Sequence, residues 1–223
     1  MSPHRTVVAI DGPSGAGKGT IARAVARSLG WAYVDTGAMY RAVAWRATQE
    51  GVPLEAEDGV ATVASSAVFD IDVERVIIDG HDVTEFIRTP EMDVAAATVA
   101  RMPKVREVLV ARQREYAAAG PVVMEGRDIG TVVFPDAVVK IYLDATPAER
   151  ANRRAKDPNH GLSKAGEIGV VAHALERRDR LDRTRQASPL TKAPDAILID
   201  TTGVTVNDVI EQVLGIVRER IAD

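Results

Sequence analysis

The chain has 223 residues, 46% of them hydrophobic and 27% charged, which excludes a disordered polypeptide and suits one large α/β domain around a single core. A formal net charge of −4 with only 4% aromatic residues argues against a general nucleic-acid surface of basic stripes and stacking platforms, so any basic cluster must be local. The lack of cysteine excludes disulfides and thiolate metal sites, and no apolar run approaches a bilayer span, so a cytoplasmic protein without a membrane partner is expected.

The first predicted element is the apolar run Val7-Val8-Ala9-Ile10-Asp11, a buried strand. Gly12-Pro13-Ser14-Gly15-Ala16-Gly17-Lys18-Gly19-Thr20 follows and reads as a phosphate cradle. Its glycines let successive N–H groups point inward, the next helix offers its N-terminus to an anion, and Lys18 reaches the outer phosphates. The pattern is G-x-x-x-x-G-K, but Gly19 stands where the usual motif has Ser or Thr, and the hydroxyl comes one residue later as Thr20. A helix over 20–29 follows, with Ile21, Val25 and Leu29 at four-residue spacing and Gly30 as its stop. Residues 31–34 predict a second short strand, and Asp35-Thr36-Gly37-Ala38-Met39-Tyr40-Arg41 turns out of it into a helix running to about residue 50. Asp35 is then either an N-cap or, at the carboxyl edge of a parallel sheet where ligands bind, a contact for substrate or its metal.

From residue 60 to 102 the rhythm changes. Phe69, Ile71 and Val73 alternate with Asp70 and Asp72, Val76-Ile77-Ile78 follows, and Asp79-Gly80 supplies a turn, which together predict a small antiparallel sheet. Helical patterns over 94–100 and 103–116 complete an insertion that either forms a subdomain over the active edge or merely decorates a crossover. Pro121-Val122-Val123-Met124 is another buried strand, ending in the charged and glycine-bearing Glu125-Gly126-Arg127-Asp128-Ile129-Gly130. A strand over 138–143 leads to Thr146-Pro147-Ala148-Glu149, a capping box opening a helix that carries Arg150, Arg153 and Arg154. The polar stretch around His160 suits a lid over about 154–168. A charged helix over 168–184 puts Arg178, Asp182 and Arg185 on one face, a strand over 196–199 follows, and an amphipathic helix over 206–221 closes the chain. His4, His81, His160 and His173 lack ligand spacing and read as surface or loop residues; there is no internal repeat.

Arg41, Arg127 and the Arg178–Arg185 pair come from distant segments that are each expected at one rim of the sheet. A shared polyanion explains this, because guanidinium groups match phosphate oxygens and a reaction between two phosphates needs fixed cations. The Arg178 to Arg185 face alone would equally suit a solvated helix laced with Asp pairs.

Four stretches in this order, residues 12–20, 35–41, 125–137 and Glu176-Arg177-Arg178-Asp179 through Ser188-Pro189-Leu190, resemble the bacterial cytidylate kinases over essentially the whole chain. The resemblance implies an α/β P-loop kinase fold, a central parallel sheet flanked by helices. It implies one kinase domain over 1–223: a core of about 1–59 and 117–223, an inserted NMP-binding subdomain of about 60–116, and the short lid. It also implies direct transfer of the ATP γ-phosphoryl to CMP or dCMP with Mg²⁺, in a monomer. By the same resemblance, the loop from Gly12 to Thr20 binds ATP, with Arg150, Arg153 or Arg154 assisting. Lys18, Arg41, Arg127 and Arg185 are the catalytic cations, and the last three clamp the CMP phosphate. Arg106 and Asp128 read cytosine, Arg178 and Asp182 meet the ribose, and Asp35 and Thr36 line the acceptor site. Thr20 and Asp35 are candidate Mg²⁺ contacts, directly or through water. The chain departs from many members at Ala97, where a serine contacts the base. Competing readings are a P-loop kinase for another small acceptor such as a sugar or shikimate, and a non-catalytic nucleotide-binding module. A GTPase would want N/T-K-x-D, which Thr191-Lys192-Ala193-Pro194-Asp195 imitates with one residue too many.

Overall fold

In the computed structural model, which describes residues 6–157 and 168–222, β1 (Val7–Asp11), β2 (Ala32–Asp35), β6 (Val122–Gly126), β7 (Val139–Asp144) and β8 (Ile197–Asp200) form one sheet. Their order is β2-β6-β1-β7-β8, and every pairing is parallel. Period-2 alternation explains why β1 reads as a continuous apolar run: Val7 and Ala9 face one apolar cluster, Val8 and Ile10 the other. One cluster packs α1 (Lys18–Leu29) and α8 (Val206–Ala222) on the sheet, and the other packs α2 (Thr36–Gln49). The chain leaves β1 toward β2 and leaves β7 toward β8, so the strand order diverges between β1 and β7, where open parallel sheets bind ligands.

The register aligns the strand ends. Asp11 pairs with Gly126 and Tyr142, and Asp35 pairs with Glu125, so the segments that follow β1, β2 and β6 all leave from one level of the sheet.

The inserted segment runs α3 (Glu57–Ser66), β3 (Phe69–Ile71), β4 (Val76–Ile78), β5 (His81–Asp82), α4 (Pro90–Val99) and α5 (Pro103–Ala119). Its antiparallel sheet follows the expected pattern, with Asp79 and Gly80 at φ 49° and 77° in the two-residue β4–β5 turn. Helix α3 is an addition to the reading from sequence. Gly59 and the β-branched Val60, Thr62 and Val63 weaken its intrinsic signal, and burial of Val60, Val63 and Ala64 decides the matter. The insertion shares its apolar cluster with α2 and β6, since Ile78, Val83, Ile87 and Leu109 pack with Met39, Val43 and Met124.

A π-helical turn at Ile129–Val133 follows β6, with Val133 and Phe134 amides donating to carbonyls five residues back at 3.2 and 2.7 Å. Its first amides, on Ile129 and Gly130, donate to the Asp11 carboxylate at 2.8 and 2.7 Å. Helix α6 (Pro147–Ala155) opens on the expected Thr146 cap, and α7 spans Ile168–Thr184. Most of the expected lid, residues 158–167, lies outside the described residues, as do His4 and His160; His81 and His173 are exposed. No helix among the described residues is long and apolar enough to cross a membrane.

Candidate active site

The loop after β1 wraps against the end of β7. A Cβ on Gly12 would stand 2.0 Å from the Leu143 carbonyl oxygen, so no other residue fits there at its φ of 147°. Gly17, left-handed at φ 91°, then turns the chain into α1, whose first residue is Lys18. Lys18 is buried, and its Nζ donates to the Pro13 carbonyl at 2.8 Å. Burial, then the nearby Arg127 charge, lowers the Lys18 ammonium to about 7. The loop is held from behind by Asp179, which accepts from the Ser14 amide at 3.1 Å and pairs with the buried Arg150. Arg150 also donates to the Ser14 carbonyl at 3.0 Å and to that of Ala145 at 3.1 Å.

In front of the loop opens a cavity of about 610 Å³. It is lined by loop residues from Ser14 to Thr20, by Asp35, Thr36 and Arg41 of the β2–α2 junction, and by Arg106 of α5. Arg127 and Asp128 after β6, Arg153 and Arg154 of α6, and Arg178, Asp182 and Arg185 of the α7 segment also line it. The four arginines expected at one rim therefore share one cavity. Gly12, Pro13 and Arg150 do not line it; Arg150 lies behind the loop, with its donors turned to the loop backbone and Asp179. Arg153 donates to the hydroxyl and carbonyl of Thr201 at 2.9 and 2.7 Å, and Arg154 pairs with Asp93.

Asp35 caps α2 and also lines the cavity. One carboxylate oxygen caps α2 through the Ala38 amide at 2.9 Å, and the other takes Arg41 at 2.9 Å. Burial alone would raise this carboxyl, but Arg41 and the capped amide more than offset it and leave it below the usual range. Thr36 turns its hydroxyl to the Glu125 carbonyl at 2.7 Å. Arg127 binds Asp182 at 2.9 Å, while Arg106 pairs with Asp128, which stands 3.4 Å from Arg185. Burial and the neighbouring Arg106 charge push the Arg185 guanidinium down. Two buried donors of this set, Arg41 Nε and Arg185 Nη2, have no hydrogen-bond partner among the described residues.

Sequence reasoning passed over several contributors. Glu125, buried, accepts from the Tyr33 hydroxyl at 2.7 Å, and its carboxylate lies 3.0 Å from where a Cβ on Gly19 would stand. Gly19 in place of a hydroxyl residue thus leaves room for an acid from the neighbouring strand. Burial, then the Asp35 charge, raises the Glu125 carboxyl. Glu125 and Asp179 stood inside the quoted stretches but carried no role, because their partners are remote in sequence. Asp93 of α4 had no local signal at all.

A family model described as cytidylate kinase matches residues 8–219. A cytidylate kinase of Pelotomaculum thermopropionicum is 48% identical over 215 residues, covering 93% of this chain and 93% of that protein. A cytidylate kinase of Desulfitobacterium hafniense is 45% identical over 220 residues, covering 96% and 93%. Among solved structures, a gluconokinase from Sinorhizobium meliloti superposes with a TM-score of 0.51 at 13% identity, over 96% of this chain and 93% of that one. That likeness concerns the P-loop kinase fold alone.

Proposed function

The chain belongs to the cytidylate kinase family, and from that premise we propose that its cavity passes the γ-phosphoryl of ATP directly to CMP or dCMP, giving ADP and CDP or dCDP. The observation that carries this reading is the set of arginines converging on one cavity in front of a glycine-rich loop, with the buried Arg41 Nε lacking a hydrogen-bond acceptor among the described residues.

The attacking oxygen of a nucleoside monophosphate is already anionic, so the site needs no general base, and catalysis is positioning plus electrostatics. Lys18 and the amides of Gly15 to Thr20 hold the ATP phosphates, Lys18 exchanging the Pro13 carbonyl for a phosphate oxygen. Arg41, Arg127 and Arg185 clamp the acceptor phosphate. Asp128 accepts from the cytosine N4 amino group and Arg106 donates to N3 or O2, whereas uracil would face Asp128 with a carbonyl. Arg178 and Asp182 meet the ribose. Ala97 lines the cavity without a hydroxyl to offer the base. Arg153 and Arg154 stand on the donor side, while Arg150 acts through the loop it supports.

Asp35 and Glu125 both line the cavity and would be the acids to meet Mg²⁺: burial, then the Asp35 charge, raises the Glu125 carboxyl, and a cation beside it would favour its charged form. Among the described residues there is no group of three or more His, Cys, Asp or Glu able to hold a metal, which suits an ion that keeps waters and takes the rest of its shell from phosphates. Bound there, it would neutralise charge on the transferring group. Thr20, exposed at the start of α1, lines the same cavity.

A coupled assay of ADP release with CMP, dCMP, UMP, AMP and shikimate tests the reading. CMP and dCMP are expected to be turned over and shikimate not at all. Preferred turnover of shikimate, or ATP binding with no acceptor used, would overturn it.

A further inference from the structure

Within 4 Å, Asp35 holds one arginine of the cavity and Asp128 and Asp182 hold two each, whereas among the described residues Asp93 of α4 meets three, from three other elements. Its Oδ1 lies 2.9 Å from Arg178 Nη1 of α7 and 4.0 Å from Arg41 Nη1 of α2, and its Oδ2 pairs with Arg154 of α6. The side chain is 14% exposed and lines the cavity itself. In the proposed reading Arg154 serves ATP, Arg41 the acceptor phosphate and Arg178 the acceptor ribose, so a single carboxylate holds cations meant for both nucleotides. Its geometry is that of an oxyanion within a guanidinium cluster, and among the described residues its single negative charge faces three positive ones. Phosphate, with more charge and more acceptor oxygens, makes the stronger charge-assisted bonds.

We propose that Asp93 is an affinity-setting residue, a carboxylate placeholder that holds Arg41, Arg154 and Arg178 together before substrate binds and gives them up to the entering nucleotides. The inference rests on the reading that this cavity receives nucleotide phosphates. Entry of CMP then draws Arg41 and Arg178 away from Asp93 before they engage the substrate, and the lost pairing weakens apparent affinity. The placeholder also keeps the arginines from repelling one another apart. Burial and the charges of Arg178 and Arg41 already push the Arg154 guanidinium down even with Asp93 beside it.

The test compares the wild type with Asp93→Asn and Asp93→Ala by calorimetric binding of CMP and of inorganic pyrophosphate, with thermal melts with and without each ligand. Both variants are expected to bind CMP and pyrophosphate about tenfold tighter, with a lower KM for CMP. Their ligand-free melting temperature falls while the rise on adding pyrophosphate grows, a combination that simple loss of structure would not produce. Unchanged affinity would overturn the proposal, and so would weaker binding, which would make Asp93 a positioning residue for the clamp. Should Asp93→Ala fail to fold, Asp93→Asn, which keeps the side-chain shape and an acceptor oxygen, carries the test. Pyrophosphate binding needs no turnover, so failure of the kinase reading would leave this outcome legible and would show instead in the acceptor assay on the wild type.

Discussion

Lys18 carries a charge that its surroundings oppose. Burial, then the Arg127 charge, brings its ammonium to about 7, and among the described residues the Pro13 carbonyl oxygen receives it. Phosphates of ATP in that place favour the charged form and raise its pKa, so between about 7 and the raised value binding takes up a proton. The sign follows: ATP affinity is flat below about pH 7 and falls as pH rises above it, by up to about tenfold per unit. Calorimetry at pH 8.5, roughly, in two buffers of different ionisation enthalpy should show proton uptake near one per ATP, and none in Lys18→Met. Uptake that persists in Lys18→Met would assign it elsewhere. The loop and its lysine were legible in the sequence because their spacing alone encodes a function. The Lys18 environment was not, since Arg127 and Glu125 reach it from a strand more than a hundred residues away.

Elements were readable where local signals agreed. The Thr146 cap with Pro147 at the first helical position announced α6, and Asp79-Gly80 announced its turn. They were unreadable where tertiary burial decided, as in α3, and the partners of α6 belong to that second class. Of the three arginines offered as alternatives for the ATP phosphates, Arg150 lies behind the loop, bonded to Asp179 of α7 and to the Ser14 carbonyl. The pair ties two helices to the phosphate loop, with both side chains almost fully buried (7% and 1% exposed). Removing one partner leaves the other charge buried and alone, at a cost of about 3–5 kcal/mol. Urea unfolding should therefore show Asp179→Ala and Arg150→Met each strongly destabilised, and the double variant less so than the sum of the two. Additive losses would mean that the two charges do not depend on each other. ATP binding weakens in both single variants because the Ser14 turn loses its support.

Across the whole molecule two charge distributions compete. The chain carries −4 overall, yet the described lining of its cavity brings ten Lys and Arg side chains against six Asp and Glu. Topology creates the difference, because the ends of β1, β2 and β6 deliver their charged segments to one side of the sheet. A nucleotide dianion far from the surface meets net repulsion, while one near the mouth meets attraction focused between low-dielectric walls. Salt separates the two. The Debye length shrinks from about 10 Å at 0.1 M to about 3 Å at 1 M, screening whichever field governs the encounter. If the cavity governs it, kcat/KM for CMP at saturating ATP should fall several-fold as sodium chloride rises from roughly 0.02 to 0.5 M, with kcat nearly constant, since an already bound and desolvated substrate is screened much less. If the net charge governs it, kcat/KM should rise over the same range. A rise would mean that the gathered arginines act only after contact, as clamps, and contribute nothing to capture.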